Sequence, residues 1–144
     1  MIKDGHLYRM WYAGSDADAT FRIIYSESDD GVSWRNFQLA VDINSQGTYD
    51  SWFVDTPMVI KDGGLFKMWY TGAALPFNIN IIYCESDDGI KWRNFQLAVD
   101  TGSEGIYDTN YAYRPAVISE LGYGKMWYRG DDGTTSRIIY SESY

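Results

Sequence analysis

The stretch LFKMWYTG, residues 65–72, carries the tripeptide MWY, which recurs at Met10–Tyr12 and Met126–Tyr128, so three copies stand 58 residues apart. Around each copy the same words follow in the same order. IIYSESDDGVSWRNFQLAVD at 23–42 is matched by IIYCESDDGIKWRNFQLAVD at 81–100, and IIYSESY occupies 138–144. The chain is an internal repeat, and each repeat has to be read as one supersecondary unit stacked on its neighbours.

Within one period four runs suit β-strands, and no window has helical periodicity. In the second repeat TPMVIK (56–61) leads through the turn Asp62-Gly63-Gly64 into LFKMWYTG. There Phe66, Met68 and Tyr70 alternate with Leu65, Lys67 and Trp69. Both sets are largely apolar, the pattern of a strand covered on both faces. Ile81–Glu85 forms a third strand, SDDG at 86–89 a turn, and KWRNFQLAVD a fourth. Four antiparallel strands in a unit a little longer than the about 40–50 residues of common propeller repeats predict an all-β array of propeller-like blades. The expected single domain, 1–144, has blade 1 at about 1–42, blade 2 at about 56–100 and a partial blade 3 at about 114–144.

Composition narrows the function. The formal charge of −8 disfavours nucleic acid and anionic lipid, whose phosphates require clustered Lys and Arg, so neutral or cationic partners fit better. There is no apolar run of about 18 residues to span a bilayer, and MIKDGHLYRM lacks the regions of a secretory signal; a cytoplasmic location is the default expectation. The single cysteine, Cys84, replaces Ser26 and Ser141 of the other copies and reads as a small buried residue. His6 stands in a turn.

These words carry a resemblance. KMWYTG, the IIY strand, SDDG with a tryptophan three residues on, and an aspartate and proline opening the next strand resemble the five-bladed β-propeller glycosidases and their glycan phosphorylase relatives. The turn is similar to an Asp-box, with Asp29, Gly31, Ser33 and Trp34 at its spacing and Glu27 where that motif has Ser or Thr. The resemblance implies a propeller fold, a carbohydrate-related function, and a catalytic role for an aspartate near the start of an inner strand, here Asp55.

Repetition also sorts residues. Those that recur serve every blade: Glu27, Glu85 and Glu142, and the pairs Asp29-Asp30 and Asp87-Asp88, are assigned to turn formation. Residues that break the repeat on the loop-bearing face are better functional candidates. That face collects the loops 14–21, 72–78 and 130–136 and the crossovers 43–55 and 101–114. Aligning the crossovers sets Trp52 on Asn110, Phe53 on Tyr111, Asp55 on Tyr113 and Thr56 on Arg114. Asp50 and Asp108 recur, which suits capping of the crossover as well as acid chemistry. The catalytic candidates are therefore Asp55, Asp50 and Asp108. The ligand-binding candidates are Trp52, Phe53, Tyr111, Tyr113 and Arg114, whose rings stack on sugar faces while charged groups bond hydroxyls.

Glycoside hydrolysis normally uses two carboxyl groups, and no convincing second one accompanies Asp55. A non-catalytic glycan- or partner-binding module is favoured, with a glycoside hydrolase or related sugar enzyme as the alternative. No cofactor or metal site is expected: Asp16 with Asp18, and Asp131 with Asp132, lack the dense alternation of a calcium loop. Two blades and most of a third do not close a ring of four to eight. The expected partner is a second copy, forming a dimer of five or six blade equivalents; the alternative is a fragment of a longer enzyme.

Overall fold

A computed structural model describes residues 1–120 and 123–143. Tyr144, the end of the third IIYSESY copy, lies outside the described residues, as do Leu121 and Gly122. Among the described residues eleven strands form three antiparallel sheets. The first is ordered β1 (Ile2–Asp4), β2 (Leu7–Ser15), β3 (Phe21–Ser28), β4 (Arg35–Val41). The second has the same order in β5 (Phe53–Asp62), β6 (Leu65–Ala74), β7 (Asn78–Ser86), β8 (Arg93–Val99). The third comprises β9 (Tyr111–Glu120), β10 (Tyr123–Asp131) and β11 (Ser136–Ser143).

The repeated words occupy the same register in each sheet. Trp11 pairs with Tyr25, Trp69 with Tyr83 and Trp127 with Tyr140, with ring centroids 5.6, 5.0 and 5.3 Å apart. Such cross-strand aromatic pairs contribute about 0.2–1 kcal/mol each.

The turn between the third and fourth strands differs in detail from the expectation. Its hydroxyl and carboxylate come from Ser28 and Asp30: Ser28 Oγ accepts from Gly31 N at 2.9 Å, and Asp30 Oδ1 accepts from Val32 N and Ser33 N at 2.8 and 2.7 Å. Ser86 and Asp88 repeat the arrangement. Asp29 and Asp87 reach outward to Arg35 and Arg93 instead. Glu27 and Glu85 brace the neighbouring strands by accepting from Asn36 and Asn94 and from Tyr25 and Tyr83.

Each blade packs its tryptophan face against the next blade. Trp11, Ile23, Tyr25 and Val41 of the first sheet meet Phe66, Met68, Tyr70, Ile82 and Cys84 of the second. Ile81, Val99 and Trp69 of the second meet Met126, Tyr128 and Ile139 of the third. The Trp11 indole donates to Gly89 O at 2.8 Å, which tucks the first blade under the SDDG turn of the second. Gly89 has φ +78, and a Cβ there would stand 3.0 Å from Trp11 Cζ2, so glycine is required at that turn. Burial pushes the Cys84 thiol well up, as expected of a core residue.

Among the described residues two faces have no counterpart blade. On the third sheet Ile138 is 73% exposed, whereas Ile23 and Ile81 at the same position are 0% exposed. On the first sheet Phe37 and Leu39 are exposed, whereas Phe95 and Leu97 are half-buried.

Candidate functional site

The crossovers are built from within. Asp50 is fully buried, and its carboxylate accepts from Gln46 N and Gly47 N and from the Tyr70 hydroxyl, each at 2.9 Å. Asp108 does the same with Glu104 N and the Tyr128 hydroxyl, the latter at 2.7 Å. Gln46 and Glu104 then accept from the next turn's amides, Thr48 and Tyr49 in one loop and Ile106 and Tyr107 in the other. Burial first, then the adjacent carboxylate, pushes both tyrosine hydroxyls well above their ordinary range. Asp50 and Asp108 thus sit beneath the crossovers with their oxygens engaged, away from any open surface.

Each crossover is clipped to its sheet by one backbone bond, Trp52 N to Ala73 O and Asn110 N to Asp131 O, both at 2.8 Å. The inner strand then begins earlier than the sequence suggested, at Phe53 and at Tyr111, because Phe53, Val54 and Asp55 pair with Ala73, Gly72 and Thr71. A bulge follows. The register slips between Asp55 and Met58, and in the third sheet between Trp127 and Arg129, where β9 carries Arg114 and Pro115. Thr56 and Arg114 both adopt left-handed backbone, φ 48 and 56. Neither residue is glycine, so each costs about 1–2 kcal/mol that the surrounding structure has to overcome. Recurrent outliers of this kind are concentrated at functional positions.

The bulge turns several repeat-breaking side chains into one cleft. It has a volume of about 190 Å³ and is lined by Phe53, Asp55, Tyr113 and Arg114 together with Thr56, Thr71 and Ile79. Asp55 Oδ1 accepts from Thr56 N at 2.6 Å, and Asp55 is the one carboxylate among the described residues lining the cleft. The Thr71 hydroxyl joins the two blades: it bonds the Thr56 hydroxyl at 2.6 Å and accepts from Arg114 N at 2.9 Å. The Arg114 guanidinium carbon lies 5.8 Å from the Tyr113 ring centroid, and that of Arg129 lies 5.2 Å from it. Tyr111 meets Tyr113 edge-on at 6.3 Å.

Beside the cleft stands an aromatic shelf. Trp52 packs against Phe53 at 5.2 Å and against Phe77 at 6.0 Å, with Trp52 42% and Phe77 63% exposed. Exposed rings that keep one face open are suited to stacking on the apolar face of a sugar. Of the sequence candidates, then, Phe53, Asp55, Tyr113 and Arg114 meet in the cleft, Trp52 lies at its rim through Phe53, and Tyr111 stands behind Tyr113. Thr71, Ile79, Phe77 and Arg129 were not among the candidates. Among the described residues no group of three or more His, Cys, Asp or Glu could hold a metal ion; Asp16 pairs with Arg22 and Asp132 with Arg137.

Against solved structures, the chain superposes on Zg3597, a family 117 glycoside hydrolase produced by the marine bacterium Zobellia galactanivorans, with a TM-score of 0.78 and 15% identity over 99% of this chain and 50% of that one. A thermostable family-43 glycoside hydrolase gives a TM-score of 0.77 at 17% identity, covering 96% and 47%. The β-1,2-mannobiose phosphorylase of Listeria innocua gives 0.69 at 12%, covering 97% and 37%. The chain is an open β-propeller array. No protein-family model matches it. In sequence it is 35% identical over 141 residues to two uncharacterized proteins of Mycobacterium tuberculosis, MT1551 and Rv1502, covering 91% of this chain and 45% of theirs. The array therefore spans less than half the length of the curated relatives it matches. At these identities the solved structures establish the fold, and the chemistry has to be argued from the cleft.

Proposed function

We propose that this chain is a carbohydrate-binding propeller module whose site is the cleft of Asp55, Tyr113 and Arg114 with the Trp52–Phe77 shelf. The observation that carries the reading is convergence: residues chosen because they break the repeat line a single cleft on the loop-bearing face. A sugar ring stacked on the shelf would present its hydroxyls to Asp55 and Arg114. The cleft is smaller than the about 300–1,000 Å³ of enclosed ligand sites, so most of a glycan would lie on the open surface. One carboxylate in the cleft favours binding over hydrolysis, which normally uses a pair.

The rival reading, a glycoside hydrolase using Asp55, is favoured by the glycoside hydrolases among the structural neighbours. A glycan array with calorimetry, run beside a panel of chromogenic glycosides, separates the two. Binding without turnover, weakened at least tenfold in Trp52→Ala, supports the module. Turnover abolished by Asp55→Asn would establish the enzyme instead, and neither binding nor turnover would remove both.

We also propose that the two unmatched faces pair between copies. The Trp127 and Ile138 face of the third blade repeats the surface that the first and second blades place against a neighbour. The Phe37 and Leu39 face of the first blade repeats the surface that receives it. Two copies related by a twofold axis satisfy both faces at once, closing a ring. Sedimentation of this chain at micromolar concentration is expected to give a dimer that Ile138→Asp dissociates; a well-folded monomer at all concentrations would overturn the pairing.

A further inference from the structure

Of the chain's seven arginines, Arg9, Arg22, Arg35, Arg93 and Arg137 each pair with an acidic side chain. Arg114 and Arg129 form no ion pair among the described residues. These two converge on the same ring, Tyr113, at 5.8 and 5.2 Å. In a protein with 20 acidic and 12 basic residues, two guanidiniums without an ion-pair partner stand around one tyrosine of the cleft wall, Arg114 lining the cleft and Arg129 reaching Tyr113 from the neighbouring strand. Arg129 is steadied by donating to Ser136 Oγ at 2.8 Å, and Ser136 in turn donates to Asp131 at 2.5 Å. Arg114 is exposed, lines the cleft, and is held in left-handed backbone whose amide is tied to Thr71.

The first and second copies lack this arrangement. The position of Arg129 is Ala13 in one and Thr71 in the other, and the position of Arg114 is Thr56 in the second. Of the second and third copies only the third carries arginine at these two positions, Arg114 following Tyr113 in the chain and Arg129 lying opposite it on the paired strand.

We infer that the cleft selects acidic saccharides, with the Arg114 fork bonding the carboxylate of a uronate or the sulfate ester of a sulfated sugar and Arg129 adding a second positive charge. This rests on the carbohydrate-binding reading above. A planar guanidinium presents paired N–H donors that match a two-oxygen anion, a match that an ammonium does not reproduce. Tyr113 holds the two guanidiniums by cation–π contact, the Trp52–Phe77 shelf offers the sugar ring an aromatic surface, and Asp55 remains for hydroxyls.

The test is a glycan array of matched neutral, uronate and sulfated oligosaccharides on the wild-type chain, followed by calorimetry of the strongest member at two salt concentrations. Preference for either acidic set, an affinity that falls with added salt, and a loss of about tenfold or more in Arg114→Gln and in Arg129→Gln are expected. Which acidic set binds distinguishes carboxylate from sulfate. Arg114→Lys keeps the charge and loses the fork, so it is expected to restore only part of the affinity. Equal or better binding of neutral sugars, unchanged by salt and by both glutamine variants, would overturn the selection while leaving carbohydrate binding intact. No binding by any set would remove both. Because the Arg114 side chain is exposed, an unchanged melting temperature of Arg114→Gln separates lost recognition from lost folding.

Discussion

Tyr70→Phe removes one oxygen from the anchor that holds the second crossover in place. The hydroxyl donates at 2.9 Å to Asp50, a fully buried carboxylate whose other contacts are the amides of Gln46 and Gly47. Phenylalanine preserves the ring packing, so the loss is one buried hydrogen bond to a carboxylate, about 1.5–3 kcal/mol. For 144 residues the unfolding entropy near the midpoint is about 0.3 kcal/mol per degree, so a loss of about 2 kcal/mol lowers Tm by about 7 °C. The repeat supplies its own control. Tyr12 occupies the same position in the first blade, where its hydroxyl bonds nothing among the described residues, and Tyr12→Phe is expected to move Tm by no more than about 2 °C. Tyr128→Phe, which frees Asp108, is expected to resemble Tyr70→Phe and to add to it, since the two anchors share no partner. Thermal unfolding followed by circular dichroism reads the wild type, the three single variants and the Tyr70→Phe/Tyr128→Phe double variant. Equal Tm shifts for Tyr12→Phe and Tyr70→Phe would refute the reasoning that Asp50 and Asp108 are structural anchors.

Other outcomes follow from the same geometry. Gly130→Ala places a Cβ 3.0 Å from Tyr107 O and from Asp108 Cβ and against Ile139, and is expected to cost about 1–3 kcal/mol in denaturant unfolding; Gly64→Ala, with nothing within 4 Å, is expected to cost little. Stability is expected to fall above about pH 10, measured as Tm against pH. Burial, then the bond to Glu27, pushes the Tyr25 hydroxyl up to about 12, and Tyr70, Tyr83 and Tyr128 are raised in the same direction. An acid with a raised folded pKa keeps its proton where the unfolded chain has lost it. Its contribution is therefore complete below the ordinary tyrosine pKa of about 10 and is lost as pH rises toward the folded value. A Tm independent of pH from 9 to 11.5 would contradict this. Thr71→Val, which deletes the hydroxyl joining Thr56 to Arg114 N, is expected to weaken glycan binding several-fold with a smaller effect on Tm, since it loosens the bulge that aims Arg114.

Much of the fold is legible because each repeat states it again. Alternation around MWY gives the second strand of every blade, and the Gly at 63 and 89 mark hairpins. The early start of β5 was hidden because Phe53-Val54-Asp55 sits beyond a bulge, and Pro57 reads as the head of a strand when it lies inside one. At the site, comparing copies found Asp55, Tyr113 and Arg114, whose environments differ between blades. It passed over Arg129 and Thr71 because both lie in the word MWYxG, whose other letters are structural. The signal was nonetheless present, since that one letter reads Ala13, Thr71 and Arg129 in succession. Phe77 and Ile79 carry no repeat signal, because the loops differ in length and align poorly; only the folded chain brings Ile79 to the cleft and Phe77 to the shelf beside it. In the turn, Gly31 and Trp34 set the Asp-box spacing on Asp29, whereas the bonds that close the turn come from Ser28 and Asp30, which hydrogen bonding alone reveals.

The most direct test is a crystal structure of this chain with the strongest-binding glycan of the array. The account predicts a sugar ring against Trp52 or Phe77, with its polar groups at about 2.7–3.2 Å from Asp55 and Arg114. A glycan bound elsewhere, with the cleft between the second and third blades empty, would contradict it.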